Sequence, residues 1–222
     1  MRLDMHTHSR YSRDSRLDPR DIVRKARSLG LDGIALTDHN AVEGAKVAKE
    51  YAKEFEGFVV LGATEVSTAE GHILGYGVTE TIPRDLTPQD TVERIEAQGG
   101  VAVAAHPYRF WSGLGERATL GTDLMIYEIQ NARTTRRGNW RAANLATKGG
   151  KGRTGGSDSH FIDEIGGAVT VFDENLQRQD DILQALASRR TGAEGKDRGA
   201  RATLRYVPKC VGEWIVRGFR RI

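Results

Sequence analysis

The stretch RLDMHTH, residues 2–8, is predicted to form a β-strand that closes on two histidines. Side chains two residues apart on a strand point to the same face, so His6 and His8 can reach one ligand. The late stretch GSDSH, residues 156–160, repeats this spacing with Asp158 and His160. Two such pairs on two strands can converge on one point. The two pairs together indicate a metal site more strongly than one His-x-His does. The alternative is a pair of buried core histidines.

All six histidines lie in short motifs at or just after apolar, strand-like runs. Besides those two pairs, the motifs are TDHN with His39, GHILGY with His72 and AHP with His106. Histidine is the commonest metal ligand in proteins. The pattern therefore predicts one polynuclear metal centre and, through it, hydrolysis. For His72 alone, a surface histidine is the alternative.

Three carboxylates accompany these histidines. Glu65 ends an apolar run, where a lone carboxylate is a good bridging ligand between two cations. Burying Asp38 and His39 at a strand end is costly unless they are bonded or bind an ion. We expect His39 to be a ligand and Asp38 to orient a neighbouring imidazole, or else to cap a helix. Asp14 lies in the loop after the first pair, where it could close over the site, although such a residue is ordinarily solvent-exposed.

Nitrogen and oxygen donors suit Zn²⁺, Mn²⁺ or Fe²⁺. The single cysteine, Cys210, has no second thiol with which to form a structural zinc site. The sequence contains no Gly-x-Ser-x-Gly motif and no Walker-type phosphate loop. Arg109 and Arg133 follow predicted strands and could hold a phosphate bidentately; an exposed charge is the alternative for each. A bridged metal site could clamp an in-line displacement at phosphorus.

Strand-like runs alternate with helical patterns, which implies parallel strands linked by crossover helices. We expect α/β architecture with about seven strands in a closed or nearly closed barrel; an open doubly wound sheet is the alternative. Active residues of such barrels gather where the strands end. Strands are expected at 2–8, 32–39, 58–67, 72–78, 101–106, 123–130, 152–160 and 168–172. Helices are expected from Asp18-Pro19 to 29, and at 42–55, 87–98, 140–148 and 180–189.

The chain of 222 residues is expected to form one domain over residues 1–192 and a basic extension over residues 193–222 with a short closing helix. That extension has eight Lys or Arg and three Asp or Glu. It could contact nucleic acid, or it could be a solvated edge. No apolar run is long enough to span a bilayer. The lone cysteine and the lack of room for a signal peptide indicate a cytoplasmic protein.

Taken together, these motifs resemble the PHP (polymerase and histidinol phosphatase) family. The resemblance rests on HTH at 6–8, TDH at 37–39, Glu65, His72, HP at 106–107 and DSH at 158–160, in the family's order. It covers nearly the whole chain up to about residue 172. It implies a distorted (β/α)7 barrel with a trinuclear metal cluster at the C-terminal ends of its strands.

The resemblance also implies a ligand set for two to three divalent metals. The first would take His6, His8, Glu65 and Asp158, the second Glu65, His72 and His106, and the third Asp14, His39 and His160. Asp14 stands where some members have histidine, so the third site is expected to be the weakest. A metal-bridging hydroxide would attack the phosphoester, and Asp38, His39 and His160 are candidates for protonating the leaving oxygen.

Among members of this family, the chain looks most like the small stand-alone phosphoesterases. The expected substrate is a small phosphomonoester such as a sugar phosphate, histidinol phosphate or nucleotide. A nuclease or nucleotide phosphodiesterase acting on DNA, RNA or oligonucleotide ends is the first alternative, and a non-catalytic metal-binding domain is the second. The loop over 108–121 carries Phe110 and Trp111, which could stack on a base or close the barrel.

Overall fold

Nine β-strands form one sheet in the computed structural model, which describes residues 1–199 and residue 215. The strands are β1 (Arg2–Thr7), β2 (Gly33–Leu36), β3 (Val59–Ser67), β4 (His72–Tyr76), β5 (Val101–Ala104), β6 (Ile126–Asn131), β7 (Gly152–Gly156), β8 (Ala168–Phe172) and β9 (Thr191–Gly195). The helices are α1 (Pro19–Ser28), α2 (Glu43–Ala52), α3 (Pro88–Glu96), α4 (Gly115–Leu120), α5 (Arg136–Lys148) and α6 (Gln179–Ala187).

The strand order is β7-β6-β5-β4-β3-β2-β1-β8-β9. Pairing is parallel from β1 to β3 and from β5 to β7. Strand β4 runs antiparallel between β3 and β5. The C-terminal ends of β1, β2, β3, β5, β6 and β7 therefore meet at one rim of the sheet, and β4 begins at that same rim. Strand β8 is antiparallel to β1, and β9 is antiparallel to β8.

The sheet curls so that β7 meets β1. The Asp158 amide donates to the His6 carbonyl at 2.7 Å, and the His8 amide donates to the Ser159 carbonyl at 3.0 Å. The Thr170 hydroxyl on β8 bonds both the amide and the carbonyl of Gly155, each at 2.9 Å. The prediction of a nearly closed barrel is confirmed, and the open doubly wound alternative is wrong.

The starts of α1, α3 and α5 follow local sequence signals. Asp18 accepts from the Arg20 amide with Pro19 at the first helical position of α1, as predicted. Thr87 caps α3 in the same way. Helix α5 begins four residues before its predicted start at residue 140, because the Thr135 side chain caps it through the Gly138 amide.

Strand β9 and the short helix α4 were not expected from the sequence. The predicted domain boundary after residue 192 falls inside β9, which pairs with β8 from Thr191 to Gly195. The Gly-rich and charged sequence there lacks an apolar pattern, and the neighbouring strand supplies the hydrogen bonds that hold it in the sheet. The predicted closing helix over 208–222 lies, apart from residue 215, outside the described part of the chain.

Apolar side chains fill the barrel and the space between sheet and helices. The interior cluster includes Leu3, Leu61, Leu74 and Val103, all fully buried. Two further clusters pack the helices onto the outer face of the sheet. Across the described residues, none of the helices has the length and apolar character that crossing a bilayer requires.

Because β7 closes onto β1, no space is left for a side chain at Gly156. A Cβ there would lie 2.3 Å from the His6 Cβ and 2.6 Å from the His6 amide nitrogen. We expect Gly156→Ala to lower the free energy of unfolding by about 1–3 kcal/mol or more, because the backbone of β1 must shift. Urea denaturation measures the change. Gly192→Ala on β9 is the matched control, because its Cβ would lie 4.0 Å from Val171; equal midpoints for the two variants would contradict the proposed closure.

Candidate metal centre

Strand ends bring the predicted metal ligands together at the C-terminal rim of the barrel. His6 lies on β1, and His8 is the first residue after that strand. Glu65 is on β3, while Asp158 comes two residues after β7. His72 is the first residue of β4 and pairs in register with Ser67. Because β4 runs opposite to its neighbours, its first residue lies at the rim where theirs end.

Glu65 is the centre of the cluster. Its buried carboxylate contacts five of the six imidazoles. Oε1 lies 2.7 Å from His72 Nδ1 and 2.9 Å from His106 Nε2, and Oε2 lies 3.1 Å from His6 Nε2, 3.2 Å from His8 Nε2 and 3.4 Å from His39 Nδ1. A carboxylate that contacts five imidazoles is placed as a ligand bridging two cations would be. The bridging role of Glu65 therefore stays a prediction that fits this geometry.

The sixth imidazole belongs to a second part of the cluster. Asp14 Oδ2 lies 2.7 Å from His160 Nε2 and 3.6 Å from His39 Nε2. The Asp14 side chain is only 6% exposed, so its loop folds over the site instead of projecting into solvent. Asp158 Oδ1 joins the two parts, because it lies 3.4 Å from His8 Nε2 and 3.6 Å from His160 Nδ1.

The donor atoms suit divalent cations. Four overlapping groups each have ligand atoms within 4.8 Å of one another: His8, Asp14, His39 and His160; His6, His8 and Asp158; His6, Glu65 and His106; and His39, Glu65 and His72. Within the described residues, His8 Nε2, His39 Nδ1, His106 Nδ1 and Asp14 Oδ1 are buried without a hydrogen-bond partner. Buried polar atoms are costly when unbonded, so a cation would satisfy part of this set.

These groups agree only in part with the ligand sets that the resemblance implies. His8 joins the group of Asp14, His39 and His160, and His72 and His106 fall into separate groups. Every predicted ligand is at the cluster. How the ligands divide among two or three metals stays a prediction.

Burial and close charges shift the pKa values across the centre. Burial raises the pKa of Glu65, but the surrounding His39, His72 and His6 outweigh it and hold that pKa well below its usual range. The pKa values of Asp14 and Asp158 are also held well below the usual range, by His160 and by Arg109 respectively, against the effect of burial. These three carboxylates are therefore charged at neutral pH, as metal ligands must be.

The histidines divide into two classes. Burial lowers the pKa of His72 to about 4, and burial with the nearby Arg133 charge lowers that of His160 to about 4. Burial would also lower the pKa of His8, but the Asp158 and Glu65 carboxylates beside its Nε2 raise it to about 9. The pKa of His6 is likewise raised well above its usual value, since Glu128 and Glu65 outweigh burial.

Asp38 does not orient an imidazole as the sequence suggested. Its Oδ1 accepts from the Ser9 amide at 2.6 Å, and its Oδ2 accepts from the Ser9 hydroxyl at 2.7 Å. The carboxylate therefore fixes the loop after β1, and it is separated from the N-terminus of α2 by residues 39–42. Burial raises the pKa of Asp38.

Glu128 on β6 is the carboxylate that orients an imidazole, and sequence reasoning missed it. Its Oε1 lies 2.9 Å from His6 Nδ1, and its Oε2 accepts from the His106 amide at 2.8 Å and from Asn131 Nδ2 at 3.1 Å. The apolar neighbours of Glu128 on β6 were the available signal, since a buried carboxylate within a strand needs partners.

Two residues of the centre have strained backbones. His106 has φ 28° and Asp158 has φ 54°, a region that non-glycine residues rarely adopt. Glu128 holds the amide of His106, and the His6 carbonyl holds that of Asp158. Buried Asp4 adds bonds to the amides of Ser157 and Gly166 at 2.8 Å each. The strain is therefore sustained by neighbours that position the ligands.

Both predicted phosphate-binding arginines reach the centre. Arg109 bonds the Asp158 carboxylate. Arg133 donates to the Asp158 carbonyl at 3.2 Å and bonds Nδ1 of His160. The Arg133 side chain is 5% exposed, so it is a buried cation of the cluster and not the exposed charge that was the alternative.

Phe110 and Trp111 do not close the barrel. Their side chains are 86% and 68% exposed, respectively. The alternative of stacking on a base stays open.

The comparisons with known proteins agree with this geometry. Residues 4–132 match the family model described as PHP domain, and residues 136–191 match the model described as PHP-associated. An uncharacterized protein of Methanocaldococcus jannaschii is 39% identical over 143 residues, which cover 60% of this chain and 82% of that protein.

Solved structures share the fold at low identity. A two-domain protein from Bacteroides vulgatus containing a predicted PHP-like metal-dependent phosphoesterase has a TM-score of 0.72 at 20% identity, over 88% of this chain and 65% of that one. The lesion-specific endonuclease PfuEndoQ from Pyrococcus furiosus has a TM-score of 0.63 at 16% identity, over 85% of this chain and 56% of that one. At these identities the likeness shows the fold alone.

The position of Glu128 predicts a loss of metal affinity in Glu128→Gln. A Gln side chain turns an amide group toward one of the donors that now face the carboxylate, so His6 or the His106 backbone loses its support. We expect metal affinity to fall roughly 10- to 100-fold, measured by chelator competition. Glu174→Gln, a surface carboxylate paired with Arg190, is the control. Unchanged affinity in Glu128→Gln would contradict the positioning role.

The raised pKa of His8 predicts that metal binding releases protons. At pH 7.5, below its pKa of about 9, the metal-free imidazole is protonated, whereas a ligating imidazole must be neutral. Apparent affinity should therefore rise with pH up to about 9 and fall as the pH is lowered. Calorimetry in two buffers of different ionisation enthalpy counts the protons released at pH 7.5, and a count of zero would refute the expectation.

Proposed function

The chain belongs to the PHP domain family, and from this premise we propose that it hydrolyses a small phosphomonoester, such as a sugar phosphate, histidinol phosphate or nucleotide. Family membership makes it a metal-dependent phosphoesterase, that is, a hydrolase. The observation that carries the proposal is the contact of five imidazoles with the single carboxylate of Glu65 at the rim of the barrel.

We propose that the clustered donors hold two to three divalent cations, Zn²⁺, Mn²⁺ or Fe²⁺. The proposed ligands are His6, His8, Asp14, His39, Glu65, His72, His106, Asp158 and His160. When bound, such cations act as Lewis acids and activate water for in-line attack at phosphorus. Nitrogen and carboxylate ligands without thiols support this choice of metals.

Arg109 and Arg133 are the proposed phosphate-binding residues. Both guanidinium groups contact Asp158, Arg109 at its carboxylate and Arg133 at its backbone carbonyl. A guanidinium group can bind two phosphate oxygens at once. Their charges would therefore attract a phosphate to the cluster and align it there.

His39 and His160 are the proposed proton carriers. Nδ1 of His160 contacts the Arg133 guanidinium and the Asp158 carbonyl oxygen, which leaves Nε2 facing the cluster. That nitrogen lies 2.7 Å from Asp14 Oδ2. Ser9 donates hydrogen bonds to both carboxylate oxygens of Asp38, the third candidate. Asp38 would therefore act through Ser9 and the loop that Ser9 begins.

The alternatives differ in what the cluster would act on. A nuclease or nucleotide phosphodiesterase is the first alternative, and a lesion-specific endonuclease is among the proteins that share the fold. The basic tail that suggested nucleic acid lies mostly outside the described residues. A non-catalytic metal-binding role has less support, because every predicted ligand reaches the cluster. We place the protein in the cytoplasm on the single cysteine of its sequence.

Phosphomonoester hydrolysis is tested with a panel of sugar phosphates, histidinol phosphate and nucleoside monophosphates plus Mn²⁺, Zn²⁺ or Fe²⁺, with release of inorganic phosphate as the readout. Chelation should abolish turnover, and added metal should restore it. Glu65→Gln should lower kcat by about 100-fold or more, since it removes the charge that the imidazoles share, and it should also lower bound metal.

Glu174→Gln again serves as the surface control and should retain full activity and metal content. Internal cleavage of a labelled oligonucleotide, with no phosphate released from any monoester, would favour the nuclease alternative. No turnover of any phosphoester by protein that holds its metals would overturn the proposed activity.

A further inference from the structure

Strand β9 ends at the rim of the barrel that holds the metal ligands. Strand β8 runs antiparallel to both β1 and β9, so β9 points in the same direction as β1. Residues 196–199 therefore leave the sheet at this rim, and the Lys196 amide still donates to the Gly167 carbonyl at 2.8 Å. These residues lie beyond the range 136–191 of the second family match.

The segment after β9 contacts the turn that carries Arg133. The Arg198 amide donates to the Thr134 carbonyl at 2.9 Å. The Arg198 guanidinium donates to the Arg133 carbonyl at 3.5 Å. The outer side of the turn that follows β6 is therefore held by a segment that comes more than sixty residues later in the chain.

Asp197 contacts the same region through side chains. Its Oδ1 accepts from Asn139 Nδ2 at 2.8 Å and from Gln130 Nε2 at 3.2 Å. The Asp197 side chain is exposed, whereas Asn139 at the start of α5 is buried. One exposed carboxylate thus bonds a buried amide group from the outside of the barrel.

Asn139 connects Asp197 to Asn131, the last residue of β6. Because a carboxylate oxygen accepts hydrogen bonds, the Nδ2 end of Asn139 faces Asp197. Nδ2 also donates to the Asn131 carbonyl at 3.0 Å, and Oδ1 of Asn139 accepts from the Asn131 amide at 3.2 Å. The side chain of Asn139 therefore bonds both backbone groups of Asn131, in the one orientation that also satisfies Asp197.

Asn131 joins this outer contact to the centre. Its side chain is fully buried. Nδ2 donates to Glu128 at 3.1 Å and to the Asp158 carboxylate at 3.3 Å. Oδ1 accepts from the Arg133 amide at 3.0 Å and from the Thr134 hydroxyl at 3.1 Å. A single amide group thus links the proposed metal ligand Asp158 to the backbone of the proposed phosphate-binding arginine.

The position of the Arg133 charge depends on this turn. From the turn, the Arg133 guanidinium extends to the Asp158 carbonyl at 3.2 Å. The groups of a catalytic centre must be held within about 0.5 Å of their productive positions. A contact that fixes the backbone of Arg133 therefore affects how well its guanidinium meets a phosphate.

We propose that Asp197 is a positioning residue for Arg133. It acts through Asn139 and Asn131, and it raises the affinity of the metal centre for the phosphate group of the substrate. The proposal rests on the phosphate-binding role proposed for Arg133 and adds to it a residue that lies outside the family match.

The test measures binding of inorganic phosphate to the metal-loaded, full-length protein by calorimetry. Asp197→Ala should raise the Kd of phosphate about 2- to 10-fold, as the net loss of one hydrogen bond would. The KM of a phosphomonoester should rise by the same factor, with kcat and metal content unchanged, because the contact aids binding of substrate and transition state alike. An unchanged Kd would overturn the proposal.

Two further variants separate positioning from a general effect on the fold. Asp197→Asn should keep the wild-type Kd, because its amide oxygen can accept the same hydrogen bond from Asn139. Asp123→Ala is the matched control: Asp123 is exposed and accepts from Gln89 Nε2 at 3.1 Å, but it lies ahead of β6 at the opposite end of the barrel. An equal rise in Kd for Asp123→Ala would also overturn the proposal.

A double-mutant cycle tests whether Asp197 acts through Arg133. Arg133→Met should itself weaken phosphate binding, and adding Asp197→Ala should then cause no further loss. Additive losses would contradict the positioning role. If Arg133→Met binds phosphate as the wild type does, the phosphate-binding role of Arg133 in the proposed function fails. If only Asp197→Ala binds as the wild type does, that role stands and the positioning proposal is overturned.

Hydrogen exchange gives a readout that needs neither phosphate nor turnover. The Arg133 amide is bonded to Asn131 Oδ1, and the Thr134 amide is bonded to the Asn131 carbonyl at 3.0 Å. Both amides should exchange faster in Asp197→Ala than in the wild type, and at the wild-type rate in Asp123→Ala. Equal rates in all three proteins would show that Asp197 does not hold the turn.

Discussion

One buried carboxylate in contact with five imidazoles is the interaction on which this structure depends. Glu65 is 1% exposed, and His6, His8, His39, His72 and His106 all approach its two oxygens. Burying so many ionisable groups is expensive unless each has a partner of opposite charge or an ion to bind. Those residues come from β1, β4 and the ends of β2, β3 and β5, so the cluster exists only when the barrel has curled around it.

A second set of contacts keeps the cluster in place. Glu128 links His6 on β1 to the His106 backbone after β5, and Asp4 links β1 to the segment that carries Asp158. Both carboxylates are buried, and burial raises the pKa of Asp4 to about 6. The positive φ angles of His106 and Asp158 are sustained by these same bonds. The barrel and its rim are thus stabilised as one unit, which is how a metal site acquires fixed ligand positions.

Sequence reasoning succeeded where a residue's function follows from its place on a strand. The i, i+2 spacing of His6 and His8 placed both at the centre, and Asp18-Pro19 marked the start of α1. It failed for Asp38 and Glu128, because the partner of a buried carboxylate lies far along the chain. His6 and Glu128 are separated by 122 positions, and no local pattern in the sequence records that contact. It also missed β9, whose pairing with β8 compensates for a sequence without strand character.

Local chemistry alone was enough to predict the class of the fold and the donor residues that the structure brings together, since each depends on residue type and short spacing. Tertiary structure was needed for the rest. Closure of β7 onto β1 brings Asp158 to His8, the reversed direction of β4 brings His72 to Glu65, and the turns after His106 send Arg109 inward and leave Phe110 and Trp111 exposed. These relations depend on strand direction and chain path, which side-chain pattern does not encode.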